Sequence, residues 1–325
     1  MNPLTREIDA QAGPLGENIL ISRIKDWLGT SSPEAPRGIG DDCAATPLPN
    51  DKETLLTTTD PIVYLKHFDD SITPQQAAAK LLRRNISDIA SMGGEPRHAV
   101  ISLSFPPNLS IDWLQNFYRG ISNEALAYGI EINGGDVCET SGFLGVFLTL
   151  IGFAGEHALQ RNQTVTGSHI FVTGSLGGSR NGKHYDFVPR LAEGQWLAKR
   201  PEPISCLDLS DGLGKDCRAL LYPNQSAQID CSSIPISEAA MELSKTSGRT
   251  PIDHAMNDGE DYELLFTMAN KSFVGEFESE WKHQFDTPLT CIGKVVGRSE
   301  KDEPIVLTNA SPRIDLTGYA HFGNP

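Results

Sequence analysis

The sequence has no apolar run long enough to cross a bilayer. Its most apolar stretch, 143–155, spans 13 residues and contains Thr149, whereas a membrane helix needs roughly 20. The opening MNPLTREIDAQAGP has no apolar core of a secretory signal. No C-x-x-C pair occurs among the six cysteines (Cys43, Cys138, Cys206, Cys217, Cys231 and Cys291), so reduced thiols and a cytoplasmic location are expected. Positive charge is in short supply: 27 Lys and Arg stand against 42 Asp and Glu, a net charge of −15. That balance argues against a general nucleic-acid binder, which needs a cationic footprint, and against an anionic membrane surface. G-x-S-x-G, H-E-x-x-H and EF-hand loops are missing, as is any His/Cys cluster fit for zinc.

What is present is a globular chain of 325 residues, 39% hydrophobic and 21% charged, long enough for two domains or one large one. One helix is predicted to open at Thr73-Pro74, an N-cap followed by Pro at the first helical position, and to stop at Gly93-Gly94. A second is predicted over about 111–128, ended by Gly129. Strand-like runs lie at 54–59, 98–105, 143–153, 169–173, 204–209, 263–267 and 290–296. Their irregular alternation with helices points to an α+β fold rather than a repeating βαβ unit. The polar run 160–168 marks a boundary, giving expected domains of 1–160 and 161–325.

The segment GGSRNGKH, 177–184, fits G-x-x-x-x-G-K after a strand, but His184 stands where a P-loop needs a Ser or Thr hydroxyl for Mg²⁺. It is read as a glycine-rich turn.

The aspartates recur in one kind of setting. Asp41 and Asp42 follow Gly38-Ile39-Gly40, Asp60 ends the run LLTTT, and Asp88 shares a helix face with Asn85. Asp136 follows Gly134-Gly135; Asp208 and Asp211 bracket Ser210; Asp258, Glu260 and Asp261 surround Gly259. Singly, each reads as a turn former or cap, and Asp211 as the cap of the next helix. Together, with the hydroxyls of Thr57, Thr58, Thr59 and Ser210, they form an all-oxygen donor set that suits Mg²⁺ or Mn²⁺. Two unit charges 4 Å apart interact by about 4 kcal/mol at an effective dielectric of 20. Such a cluster therefore accepts a triphosphate only with more than one divalent ion between them.

In these segments the chain resembles the thiamine-monophosphate kinase family of the aminoimidazole-ribotide-synthetase-like superfamily. The matching pieces are GENILISRI (16–24), GIGDDCA (38–44), TTTDPIVYLKHF (57–68), KLLRRNISDIASMGGEP (80–96) and INGGD (132–136). They continue as VTGSLGGS (172–179), LDLSDGL (207–213), GEDYELLFT (259–267), CIGKV (291–295) and GYAHF (318–322). The resemblance implies a two-domain α+β fold: an N-terminal ATP- and metal-binding domain that dimerises into a shared β-barrel, and a C-terminal α/β sandwich. It implies transfer of the ATP γ-phosphoryl group to thiamine monophosphate, with several Mg²⁺ ions. By position, Asp42, Thr58, Thr59, Asp60, Asp88, Asp136, Asp208 and Asp211 would hold metal. Tyr118, Gly135, Asp136, Arg161 and Ser210 would contact ATP; His67, Glu260 and Tyr319 would contact thiamine phosphate, Tyr319 by lying over a cationic or aromatic ring. A phosphate oxygen attacking phosphorus needs no dedicated base.

The chain departs from the family in places. Asp258 stands where the family usually has Gly, which would crowd or recharge the substrate end. Val137-Cys138 replace hydroxyl residues after Asp136, and Asp60-Pro61-Ile62-Val63 replaces D-T-L-V. Two other functions are weighed: a selenophosphate- or aminoimidazole-ribotide-type synthetase of the same superfamily, and a degenerate nucleotide-binding dimer. The first lacks the reactive cysteine in a glycine-rich N-terminal segment that a selenophosphate synthetase needs; the second sits poorly with the intact carboxylate set.

Overall fold

The computed structural model describes residues 6–8, 11–49, 52–269, 274–299, 301–310, 314 and 316–319. Of the GYAHF segment, Gly318 and Tyr319 are described, while Ala320, His321 and Phe322 lie outside the described residues. The first half runs α1 (Glu17–Leu28), β1 (Ala44–Pro47), β2 (Thr54–Val63), α2 (Pro74–Ser91), β3 (Glu95–Phe105), α3 (Ile111–Tyr128), β4 (Glu131–Glu139) and β5 (Gly145–Ala154). Its strands form one sheet in the order β1-β2-β5-β3-β4, antiparallel except for β3 and β4.

Both expected helices form, and their ends are chemically specified. At α2 the Thr73 hydroxyl accepts from the Gln76 N–H (3.2 Å) and the Gln76 side chain accepts from the Thr73 N–H (2.8 Å), a reciprocal cap with Pro74 in the first turn. At α3 the Ser110 hydroxyl caps the start, and Gly129, at φ 68°, supplies the left-handed turn that ends it. Both helices cover one face of the sheet, where Leu56, Ile62, Ile101, Leu148 and Leu150 meet Leu81, Ile86, Ile89 and Phe117. The opposite face is open: Val100 and Phe147 remain about two-fifths exposed. β4, exposed along its whole length, was not anticipated, because glycines at 134 and 135 erase its period-2 pattern.

The second half runs β6 (His169–Thr173), α4 (Lys183–Asp186), α5 (Leu191–Ala198), β7 (Ile204–Asp208), α6 (Leu213–Asp216), β8 (Gln225–Asp230), α7 (Glu238–Ser247), α8 (Pro251–Asn257), β9 (Leu264–Met268), α9 (Val274–Gln284), β10 (Leu289–Gly297) and β11 (Ile305–Thr308). Six strands pair in the order β11-β8-β10-β6-β9-β7. Alternate residues enter separate cores. Ile170, Val172, Leu207 and Leu265 pack with Leu213 and Met256, whereas Phe171, Cys206, Leu264 and Phe266 pack with Phe277 and Trp281. Both faces of this sheet are therefore buried, the sandwich that its nearly continuous apolar strands require.

Helix α2 is the element on which the two halves meet. It packs on β2 and α3 of its own half and on α4, α5 and β7 of the other. Gly194 of α5 permits the closest approach: a Cβ there would lie 1.9 Å from the Ala90 carbonyl oxygen.

Candidate active site

One stripe of α2 explains most of the site. Lys80, Arg84 and Asp88 follow at i, i+4 and i+8, with Ser87 and Ser91 on the same side. They lie among the buried Ala, Leu and Ile residues of the helix, and Arg84, Ser87 and Asp88 reach the ends of β2 and β7. The Thr58 hydroxyl donates to Asp88 Oδ2 at 2.5 Å. Ser87 donates to Asp208 Oδ2 at 2.6 Å, and Ser91 to Asp42 Oδ2 at 2.8 Å. Carboxylate oxygens of Asp42, Asp88 and Asp208 thereby lie within 4.8 Å of one another.

Such crowding shows in the proton affinities. Burial, then the charges of Asp60, Asp208 and Asp42, hold the Asp88 carboxyl well above the usual range. Burial and Asp42 push Asp208 up to about 7. Asp41 also rises to about 7, through burial and Asp42, although Arg161 opposes the shift. The Arg161 guanidinium is paired with Asp42, and its backbone N–H donates to Asp41 at 3.1 Å.

The triad leads into a cavity of about 480 Å³ between the two halves. Thr59, Asp60, His67, Ser210, Asp211, Glu260 and Tyr319 also line it, as do Glu17, Lys66, Arg84, Arg180 and His184. Arg84 Nε lies 2.9 Å from Asp60 Oδ2. Lys215 Nζ binds Asp211 Oδ2 (2.6 Å), Glu17 Oε2 (3.1 Å) and the Tyr319 carbonyl (3.0 Å), drawing three distant segments together. Lys66 stands over the Tyr319 ring, 5.1 Å from its centre. Asp211 is not the helix cap expected of it: the Asp216 carboxylate accepts the N–H groups of Asp211 and Gly212 instead.

The turn at 258–263 presents Glu260. Gly259, Glu260 and Tyr262 all have positive φ (70°, 55° and 50°), a costly geometry for the two non-glycines. Backbone bonds from Glu260 N–H to the Ser210 carbonyl and from Tyr262 N–H to the Leu209 carbonyl, both 2.8 Å, hold it. Phe187 stacks on Tyr262 at 4.0 Å.

Twelve of the expected site residues thus share one cavity: Asp42, Thr58, Thr59, Asp60, His67, Asp88, Arg161, Asp208, Ser210, Asp211, Glu260 and Tyr319. Thr59 reaches it differently from Thr58. Thr58 points to α2, so Thr59 projects to the open sheet face, where its hydroxyl donates to the Leu148 carbonyl at 3.0 Å. Tyr118, Gly135 and Asp136 are not among the lining residues. Gly135 shares the register row of Asp60 but lies three strands away, about 14 Å at ordinary strand spacing. Asp136 pairs with Ser102 and projects, like Thr59, to the open face. Tyr118 lies on α3, about one-third exposed.

Asp258 lines the same cavity as Glu260 and Tyr319. Its carboxylate binds Arg249 Nη1 (2.7 Å) and His254 Nδ1 (2.9 Å) and accepts the Gly178 N–H (2.9 Å), so its oxygens are engaged by neighbouring groups. Lys183 of the glycine-rich turn binds Glu263 at 2.9 Å and the Ser175 carbonyl at 2.6 Å, a structural placement. Its neighbour His184 does line the cavity. Sequence reading passed over His184, Lys80 and Arg84; the i, i+4, i+8 alignment of Lys80 and Arg84 with Asp88 was the available signal for the latter pair.

All the donors in the triad are oxygens, from mutually repelling, poorly solvated carboxylates. That donor chemistry fits a hard divalent cation, whose charge relieves the repulsion.

Comparison with known proteins bears on this geometry. The family model "AIR synthase related protein, N-terminal domain" matches residues 40–154. A thiamine-monophosphate kinase of Rhodopirellula baltica is 33% identical over 297 residues, covering 89% of this chain and 92% of the relative. That of Escherichia coli is 33% identical over 340 residues, covering 95% and 99%. Among solved structures, AaThiL complexed with AMPPCP and TMP superposes with a TM-score of 0.80 at 27% identity, covering 97% of this chain and all of that one.

Proposed function

Because the chain belongs to the thiamine-monophosphate kinase family, we infer that its aspartate-lined cavity is where ATP and thiamine monophosphate react. The enzyme catalyses ATP-dependent phosphorylation of thiamine monophosphate to thiamine diphosphate. The observation that carries the placement of the site is the convergence of Asp42, Asp88 and Asp208 within 4.8 Å at the mouth of a cavity that also holds Glu260 and Tyr319.

In this reading an oxygen of the monophosphate attacks the γ-phosphorus of ATP, the bond to the β-phosphate oxygen breaks, and ADP leaves. Asp42, Asp88 and Asp208, with Asp60, Asp211 and Thr58, would hold Mg²⁺. When bound, several Mg²⁺ ions neutralise the phosphate oxygens and steady the charge of the transfer. The chain's own cations complete the electrostatics. Arg161 suits a phosphate bidentately, and Arg180, exposed in the cavity wall and without an ion pair among the described residues, is available to a second phosphate. Tyr319 offers its ring and Glu260 its carboxylate to the organic end of the acceptor; His67 flanks them. The attacking phosphate oxygen is already ionised, so no side chain is needed as base.

The wider assembly belongs to the same proposal. A homodimer is supported by the exposed Val100 and Phe147 on the open face and by the edge of β4, unpaired among the described residues; domains 1–160 and 161–325 and a cytoplasmic location are proposed with it from the sequence. On that face Thr59 and Asp136 would serve ATP and metal, with the Gly135 backbone beside Asp136 on β4 and Tyr118 on α3. Among the described residues no helix is long and apolar enough to cross a membrane. The test is direct: purified protein with ATP, Mg²⁺ and thiamine monophosphate, following thiamine diphosphate. Product above a protein-free control is expected; its absence despite ATP binding rejects the assignment.

A further inference from the structure

Lys80 is fully buried, an arrangement that a cation tolerates only when every donor is used. Its ammonium has three N–H groups and three acceptors: Glu260 Oε1 at 2.7 Å, the His67 carbonyl at 2.8 Å and His184 Nδ1 at 2.8 Å. An ammonium can only donate, so Nδ1 of His184 must be the bare nitrogen. The proton of the neutral ring then sits on Nε2, for which there is no hydrogen-bond partner among the described residues. His184 lines the cavity, and its Nδ1 lies 3.7 Å from Glu260 Oε2. The ring stacks edge-on against Tyr185 at 4.8 Å, which limits its rotation.

One ammonium therefore fixes a carboxylate and an imidazole ring next to each other, leaving the ring's Nε2–H as a donor. We propose that Glu260 and His184 together read the amidine edge of the acceptor's aminopyrimidine ring, with Lys80 as the residue that positions them. Glu260 accepts from the ring amino group, and His184 Nε2–H donates to the adjacent ring nitrogen. The proposal rests on the kinase reading and goes beyond it by assigning His184 a contact and Lys80 a positioning role.

The surrounding charges favour the neutral imidazole. Burial, then Lys80, lower the His184 pKa to about 4, with Arg180 acting in the same direction and Glu260 and Asp69 opposing. A charged imidazole would have no lone pair for Lys80 to bind. The pattern also excludes something: a pyrimidine with oxo in place of amino presents an acceptor to Glu260 and an N–H to His184, reversing both contacts. Sites built to hydrogen-bond a substrate reject such analogues strongly, because buried groups are left unpaired.

The experiment compares thiamine monophosphate with its analogue bearing oxo for amino, in wild type, His184→Leu, His184→Gln and Lys80→Met. Wild type should prefer the amino compound by roughly a hundredfold or more in kcat/KM. His184→Leu should cut that preference about tenfold with KM for ATP unchanged, and His184→Gln, which keeps an N–H donor near Nε2, should restore most of it. For Lys80→Met, ¹⁵N spectra of the His184 ring should show loss of the single Nε2–H tautomer. A preference unchanged in His184→Leu, or a His184 tautomer indifferent to Lys80, overturns the proposal. Calorimetric binding of the two monophosphates without ATP reads the same preference apart from turnover, so failure of the kinase assignment and failure of this one are distinguishable.

Discussion

Arg84 Nε lies 2.9 Å from Asp60 Oδ2, and Arg84 Nη1 donates to the Pro61 carbonyl at 2.8 Å, so an α2 guanidinium is clamped across the end of β2. Asp60 is further fixed through its backbone N–H, which donates to Asn85 Oδ1 at 3.0 Å. A carboxylate proposed to hold metal is thus fixed by a cation that would compete with metal for its charge.

That competition gives the first prediction. Arg84→Met removes a positive charge beside the metal ligands, so half-saturating Mg²⁺ should fall by roughly three- to tenfold. KM for thiamine monophosphate should rise, because the same cation offsets repulsion between Asp60 and an incoming phosphate. Steady-state kinetics at varied Mg²⁺ check both directions, and a higher Mg²⁺ requirement would contradict the argument.

Asp211 and Lys215 should separate by kinetics. Asp211→Asn keeps the shape but removes charge at the transferring phosphates, and turnover should drop by about a hundredfold or more. Lys215→Met keeps the Asp211 carboxylate but removes its ion-pair partner, and it releases the Tyr319 carbonyl and Glu17. It should mainly raise KM for thiamine monophosphate, several-fold, with a smaller change in kcat.

The metal-free protein should lose stability as pH rises. Asp41 and Asp208, both raised to about 7, and Asp88, raised well above the usual carboxylate range, bind protons more tightly folded than unfolded. Between the ordinary carboxylate value near 4 and the folded values near 7 the native state therefore holds more protons, and stability falls with increasing pH. With chelator present, the melting temperature should be lower at pH 8 than at pH 5.5. Saturating Mg²⁺ should remove most of the difference, since bound cations stabilise the ionised carboxylates.

Sequence reading reached the α2 boundaries because capping chemistry is local: Thr73, Pro74 and Gln76 act within one turn. It reached the aspartates because glycine and strand ends flank them. It missed β4, whose residues are ordered by pairing with β3 rather than by their own pattern. It also missed the Arg249 partner of Asp258, since Arg249 belongs to a separate helix-to-helix turn and the fold brings the two together. Lys80 and His184, 104 residues apart, show the same limit. Each looks ordinary alone, and their meaning lies in a contact between halves.

The last prediction concerns the joint that carries this geometry. At Gly194 an added methyl would meet the Ala90 carbonyl oxygen at 1.9 Å, and neither neighbour is a flexible side-chain tip that can swing aside. Gly194→Ala must push α5 away from α2, the helix that supplies Lys80, Arg84 and Asp88. Overpacking of this kind costs about 1–3 kcal/mol, or very roughly 2–10 °C in melting temperature for a chain of this size. Activity should fall as well, because β7 and the turn at 258–263 move with the second half. Thr73→Ala is the matched control: losing that cap costs about 1 kcal/mol at the end of α2 remote from Gly194. It should lower the melting temperature by a few degrees and leave both KM values unchanged. If Gly194→Ala behaves like Thr73→Ala, with stability reduced and kinetics intact, α2 does not transmit the position of the second half to the site.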